Sequence, residues 1–146
     1  MTISLFALAA CNRAYEPGDY YGKEAEGIVL AVDTEGNATM LLSLDEVKDL
    51  DADSAAKWAA SLGEGWFLPT KEEMALLKKY KSLVNITLER KKLPALLAVH
   101  TFYWSSTPCS DSHQYALGPD GVRCYFKTNA SPYYRARAVK KLKKEN

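Results

Sequence analysis

The chain is poor in the residues that advertise metal or thiol chemistry. It has two histidines and three cysteines in 146 residues. None of them forms a close Cys-x-x-Cys or His-x-x-x-His pair. A zinc site drawn from His100, His113, Cys109 and Cys124 therefore lacks the usual ligand spacing, and neither metal nor cofactor is expected. Charge of one sign is also missing. The formal net charge of +1 provides no field to steer the protein toward nucleic acid, so no nucleic-acid partner is expected. No apolar run approaches the roughly 20 residues that span a bilayer as a helix. Repeats and low-complexity segments are absent. What is present is ordinary for a soluble globular protein: 47% hydrophobic and 25% charged residues, in a length that suits a single domain over 1–146.

The two ends carry the only compositional bias. Met1–Ala10, MTISLFALAA, is followed by Cys11. The Leu8-Ala9-Ala10-Cys11 tetrapeptide has the form of a lipoprotein signal end, which would make Cys11 a lipid anchor. The apolar part is short and no Lys or Arg precedes it, unlike a secretory signal. The alternative is a β-strand with Ile3, Leu5 and Ala7 on one face, and this is the favoured expectation. The basic stretch within 140–146, Lys140-Lys141-Leu142-Lys143-Lys144, reads as a solvated tail. Cys109 and Cys124 flank an apparent hairpin. They either pair across it, which an oxidising compartment favours, or remain free thiols.

Between the ends the elements are legible. Gly27–Asp33 and Ala38–Leu44 are β-rich runs joined by a Thr-Glu-Gly-Asn turn, a hairpin whose strands are covered on both faces. Asp51 or Asp53 caps a helix with an apolar stripe of Ala55, Trp58, Ala59 and Leu62, closed by Gly63. Trp66-Phe67-Leu68 is extended, because Pro69 disfavours helix in the residue before it, and both aromatics are expected to anchor the core. Thr70-x-x-Glu73 is a capping box for a second helix. Asn85–Arg90 reads as a short third helix, ended by Pro94. His100–Thr107 is an aromatic-rich strand. Gln114–Leu117 and Val122–Phe126 form a second hairpin around Gly-Pro-Asp-Gly. Tyr133–Val139 alternates as a final strand with Tyr133, Arg135 and Arg137 on one face. This order of strands, helices and strands is α+β.

Three islands carry a family resemblance: Gly65-Trp66-Phe67-Leu68-Pro69-Thr70 with Glu73, Tyr103-Trp104-Ser105-Ser106-Thr107, and Arg135-Ala136-Arg137-Ala138-Val139. Together with Gly18-Asp19-Tyr20-Tyr21 they resemble a bacterial domain family that includes the C-terminal domain of the Legionella collagen-like adhesin and the Fibrobacter major paralogous domain. The match spans roughly Tyr15 to Val139. It implies a C-type-lectin-like fold, with two main helices flanking small antiparallel sheets and paired N- and C-terminal strands. Thr2–Ala9 would then pair with Tyr133–Val139. The sequence has no Glu-Pro-Asn, Gln-Pro-Asp or Trp-Asn-Asp, the triplets that hold calcium and sugar hydroxyls in sugar-binding members of that fold.

The function these features imply is a non-catalytic binding module of the bacterial cell envelope or the secreted fraction, recognising a glycan or an extracellular protein. Its contacts are placed in the loops between residues 99 and 134, because a rigid scaffold leaves loops free to carry recognition. The candidate ligand-binding residues are Tyr103, Asp111, His113, Tyr115, Asn129 and Tyr133. Tyrosine suits the role, since it offers large contact area and a hydroxyl at small entropy cost. The alternative is a structural or assembly subunit of fimbrial, phage-tail or surface-layer type. An enzyme built on Cys109, Asp111 and His113 ranks third, because adjacency alone does not give a thiol its base. Oligomeric state is not legible.

Overall fold

Asp33 sets the first hairpin turn. Its Oδ1 accepts the backbone N–H groups of Glu35 and Asn37, both at 2.9 Å. Gly36 then takes φ +82°, where a Cβ would stand 2.4 Å from that of Ala14. Only glycine fits such a position. The flanking strands, β2 (Glu26–Val32) and β3 (Ala38–Leu42), pair antiparallel. Ile28, Val29 and Leu30 are all fully buried, as a strand covered on both faces requires. The computed structural model describes residues 14–97 and 99–143. The expected strand over Thr2–Ala9, its pairing with the end of the chain, and Cys11 lie outside them.

The remaining strands are β1 (Tyr20–Gly22), β4 (Val47–Lys48), β5 (Trp66–Phe67), β6 (Phe102–Pro108), β7 (His113–Gly118), β8 (Gly121–Phe126), β9 (Tyr134–Ala136) and β10 (Val139–Lys141). The helices are α1 (Ala52–Ser61) and α2 (Met74–Arg90). One sheet has the order β1-β2-β3-β10-β5 and the other β4-β9-β6-β7-β8. Among the described residues all pairings are antiparallel except β6 with β9. Among the described residues, two helices with two small, mostly antiparallel sheets make this the α+β fold expected from the sequence.

Each helix closes one core. Asp51 caps α1 by accepting the N–H of Ser54 at 2.8 Å. The helix then presents Ala52, Ala55 and Ala59 to a cluster holding Trp66, Leu68 and Trp104. The methyl-sized side chains let α1 approach the aromatics closely. For α2, the capping box forms in both directions: Glu73 N–H donates to Thr70 Oγ1 at 3.1 Å and Thr70 N–H to Glu73 Oε1 at 2.9 Å. Met74, Leu77, Val84 and Leu88 of α2 pack with Ile28, Leu30, Tyr103 and Leu117. Each such side chain contributes roughly 1.5–3 kcal/mol on burial.

Four expectations need correction. Asn85 does not cap a third helix, because α2 runs unbroken from Met74 to Arg90. Its amide instead mimics a strand partner for Leu96, accepting the Leu96 N–H at 2.7 Å and donating to the Leu96 carbonyl at 3.2 Å. The final strand is split, with β9 in one sheet and β10 in the other. Ser43 holds the crossing point: its Oγ accepts the Ala138 N–H at 2.9 Å, and its own N–H donates to the Ala138 carbonyl at 2.8 Å. Phe67 is 65% exposed while Trp66 and Leu68 are buried, since alternate residues of an extended chain face opposite ways. Lys140 and Lys141 are not tail but part of β10; Lys140 Nζ reaches the Glu64 carbonyl at 2.7 Å.

Candidate functional site

The three sequence islands meet inside the molecule. Ser106 N–H donates to the Pro69 carbonyl at 2.8 Å and Lys71 N–H to Thr107 Oγ1 at 3.0 Å, which ties the start of α2 to the end of β6. Between Trp104 and Pro108 the register of β6 against β7 slips. Ser105, fully buried, covers the gap: its hydroxyl donates to the Tyr115 carbonyl at 2.7 Å, and Gln114 Nε2 donates to the Ser105 carbonyl at 2.7 Å. Trp104 stacks on Tyr134 and donates its indole N–H to the Leu50 carbonyl at 2.8 Å. The Tyr-Trp-Ser-Ser-Thr run is thus a structural seam.

Glu46 is the group that sequence reasoning missed. Its carboxylate, 5% exposed, sits 2.6 Å from Arg135 Nη1 and 2.8 Å from Arg137 Nη2. It also accepts Arg137 Nε at 2.9 Å and the Tyr103 hydroxyl at 2.9 Å. Arg137 is completely buried and donates further to the carbonyls of Ser43, Leu44 and Pro94. Burial, reinforced by the Glu46 charge, pushes the Tyr103 hydroxyl up to about 12. Arg-x-Arg therefore does not present a cationic face, as an unbroken strand would. Tyr103 is corrected with it: 1% exposed and bonded to Glu46 and to the Leu97 N–H, it is a core residue and no surface contact.

The exposed chemistry lies at the opposite end of β6, where the chain turns through 109–112 into β7. A disulfide joins Cys109 to Cys124 of β8, which settles the alternative left open for these thiols and removes both from the zinc and thiol-nucleophile readings. Cys109 N–H and Ser110 N–H both donate to the His113 carbonyl, at 2.9 and 3.1 Å. His113 pairs with Phe126 across the ladder, and their rings lie 4.2 Å apart at 37°. Phe126 is 58% exposed. His113 Nδ1 is 2.7 Å from Ser112 Oγ and 3.4 Å from Ser110 Oγ. Two residues along the same face of β7, the Tyr115 ring lies 4.5 Å below Lys71 Nζ. The result is an open strip of rings, hydroxyls and one cation, braced by the disulfide.

Of the six candidates, the structure brings Asp111, His113 and Tyr115 to this strip. Asn129 lies on the segment that crosses the other face of the sheet, its amide donating to the Tyr134 hydroxyl at 2.9 Å. Tyr133 is exposed but stands at the far end, where its carbonyl accepts the Phe102 N–H at 2.8 Å. Phe126, Ser110, Ser112 and Lys71 were not singled out from the sequence. Phe126 had a signal: a hairpin closed by Gly118 and Gly121 counts back to place residue 126 opposite 113. Among the described residues no group of three or more His, Cys, Asp or Glu side chains is placed to hold a metal ion. No helix among them is long and apolar enough to cross a membrane. No protein-family model matches the chain, and no curated protein matches it.

Proposed function

We propose that this chain is a non-catalytic binding module of C-type-lectin-like build, belonging to the bacterial cell envelope or the secreted fraction, which recognises a glycan or protein through the strip His113–Phe126–Tyr115. The observation that carries the reading is the His113–Phe126 ring pair, half-buried at His113 and exposed at Phe126, on a disulfide-braced sheet end. Flat rings supply apolar contact, while Ser110, Ser112 and Lys71 supply directional polar groups, the mixture that recognition sites use. Rigidity helps, because a site already ordered loses less entropy on binding. The disulfide supports the compartment, since such bonds persist where the surroundings are oxidising. The resemblance of the three islands to the bacterial domain family supports the lectin-like build.

The test is a screen of purified protein against a glycan array and against immobilised envelope and matrix proteins, repeated with Phe126→Ala. Binding to at least one ligand, lost in the variant at unchanged melting temperature, is the expected result. Ligand binding indifferent to Phe126→Ala, or no binding at all, overturns the proposal. Self-association abolished by Phe126→Ala would favour the assembly-subunit reading instead.

A further inference from the structure

The apolar stripe of α2 contains an anomaly. Met74, Leu77, Val84 and Leu88 are its buried positions. At about 100° per residue, residue 81 falls in the middle of that stripe, where packing calls for an apolar side chain. It is Lys81, and it is exposed. The core opens here into a groove of about 510 Å³ between α2 and the turn from β7 to β8, at the end of the sheet opposite the strip described above. Leu97, Val99, Leu117 and Pro119 supply its apolar lining; Lys78, Lys81 and His100 supply basic groups, and among the described residues no carboxylate lines it. Among the described residues neither lysine is ion-paired. Leu97 and His100 hold φ of +54° and +61°, left-handed conformations that branched or bulky side chains adopt only under constraint.

We infer that this groove binds an amphipathic carboxylate, with the anionic head between Lys78 and Lys81 and the hydrocarbon body along Leu97, Val99 and Leu117. The volume lies within the roughly 300–1,000 Å³ range of small-molecule sites. Charge complementarity selects the head: two lysines and no acidic side chain line the hollow among the described residues, so an anion is drawn in while a cation is repelled. The apolar lining excludes a small hydrophilic anion as the full ligand, because such an anion leaves that surface wet. The proposal is independent of the strip and of its ligand.

The experiment titrates the protein with decanoate, decanol and acetate, below the critical micelle concentration of decanoate, by calorimetry and by backbone-amide NMR. Decanoate is expected to bind saturably, about tenfold or more tighter than decanol, with shifts confined to residues 78–81, 97–101 and 117–119. Acetate is expected to give no saturable shift. Lys81→Met places an apolar residue in the stripe and should keep the fold; it should reduce the preference for decanoate over decanol to about threefold or less. Raising the salt to about 1 M should screen the ionic term and narrow the preference for decanoate over decanol. Equal affinity for decanoate and decanol, absence of saturable decanoate binding, shifts centred elsewhere, or an undiminished anion preference in folded Lys81→Met would each overturn the inference.

Discussion

Replacing Glu46 with glutamine tests whether the buried ion cluster holds the fold together. The side chain keeps its shape and one oxygen, so packing is preserved. The oxygen that accepts Arg135 Nη1 at 2.6 Å becomes an amide NH₂, and donor then faces donor. Arg137, with no exposure at all, loses the carboxylate it is paired with. Breaking one side of a buried ion pair costs about 3–5 kcal/mol, because the remaining charge stays desolvated. Against a total stability of about 5–15 kcal/mol that is a large fraction. At about 2–4 °C per kcal/mol for a chain of this size, the melting temperature should fall by about 6–20 °C. Urea unfolding followed by tryptophan fluorescence should give a lower midpoint at an unchanged slope. A loss under about 1 kcal/mol would refute the reasoning. It would mean that the carbonyls of Ser43, Leu44 and Pro94 are enough to satisfy the guanidinium, and that the carboxylate is incidental.

Three further outcomes follow from other parts of the molecule. Tyr103 ionises near 12 in the folded protein, above its ordinary value near 10, so its contribution is complete below pH 10 and disappears as pH rises to 12. Alkaline unfolding curves should show roughly 2–3 kcal/mol of stability lost over that window, and Tyr103→Phe should flatten the loss; an unchanged slope in the variant contradicts the assignment. Reducing the Cys109–Cys124 disulfide, which closes a 15-residue separation, should cost about 3 kcal/mol, read as a lower urea midpoint with reductant, and a thiol assay on unreduced, unfolded protein should find no free thiol beyond that of Cys11. Thr70→Ala removes the hydroxyl half of the capping box and should cost about 0.5–2 kcal/mol by the same unfolding assay; a neutral result would show that Glu73 alone secures the start of α2.

Local chemistry is what the sequence made legible. The Thr-Glu-Gly-Asn turn, a cap at Asp51 or Asp53 ahead of α1, and Thr70 with Glu73 are each read within a few residues; the turn and the capping box form where spacing puts them, and Asp51 is the cap. Long-range partnership was not legible. The alternation over Tyr133–Val139 is genuine, but nothing in those letters says that the strand changes sheets at Ala138, because the instruction comes from Ser43, 95 residues away. Asn85 looked like a cap for the same reason: its partner, Leu96, lies beyond the helix. Glu46 gave no local signal, since its meaning depends on two arginines near position 136. At the strip, hairpin arithmetic held Phe126 within reach, whereas Lys71 arrives only through the packing of α2 against β6.

The crossing of β9 into β10 has a consequence for how the protein is born. Residues 134–136 sit between β4 and β6, and residues 139–141 between β3 and β5. Both sheets thus take an interior strand from one short segment near the chain's end. During synthesis everything upstream must wait, with Trp66, Trp104 and the hairpin faces uncovered, until that segment emerges to close both layers together. A chain truncated before residue 134 should be protease-sensitive and chaperone-binding, and one extending past residue 141 and free of the ribosome should be resistant.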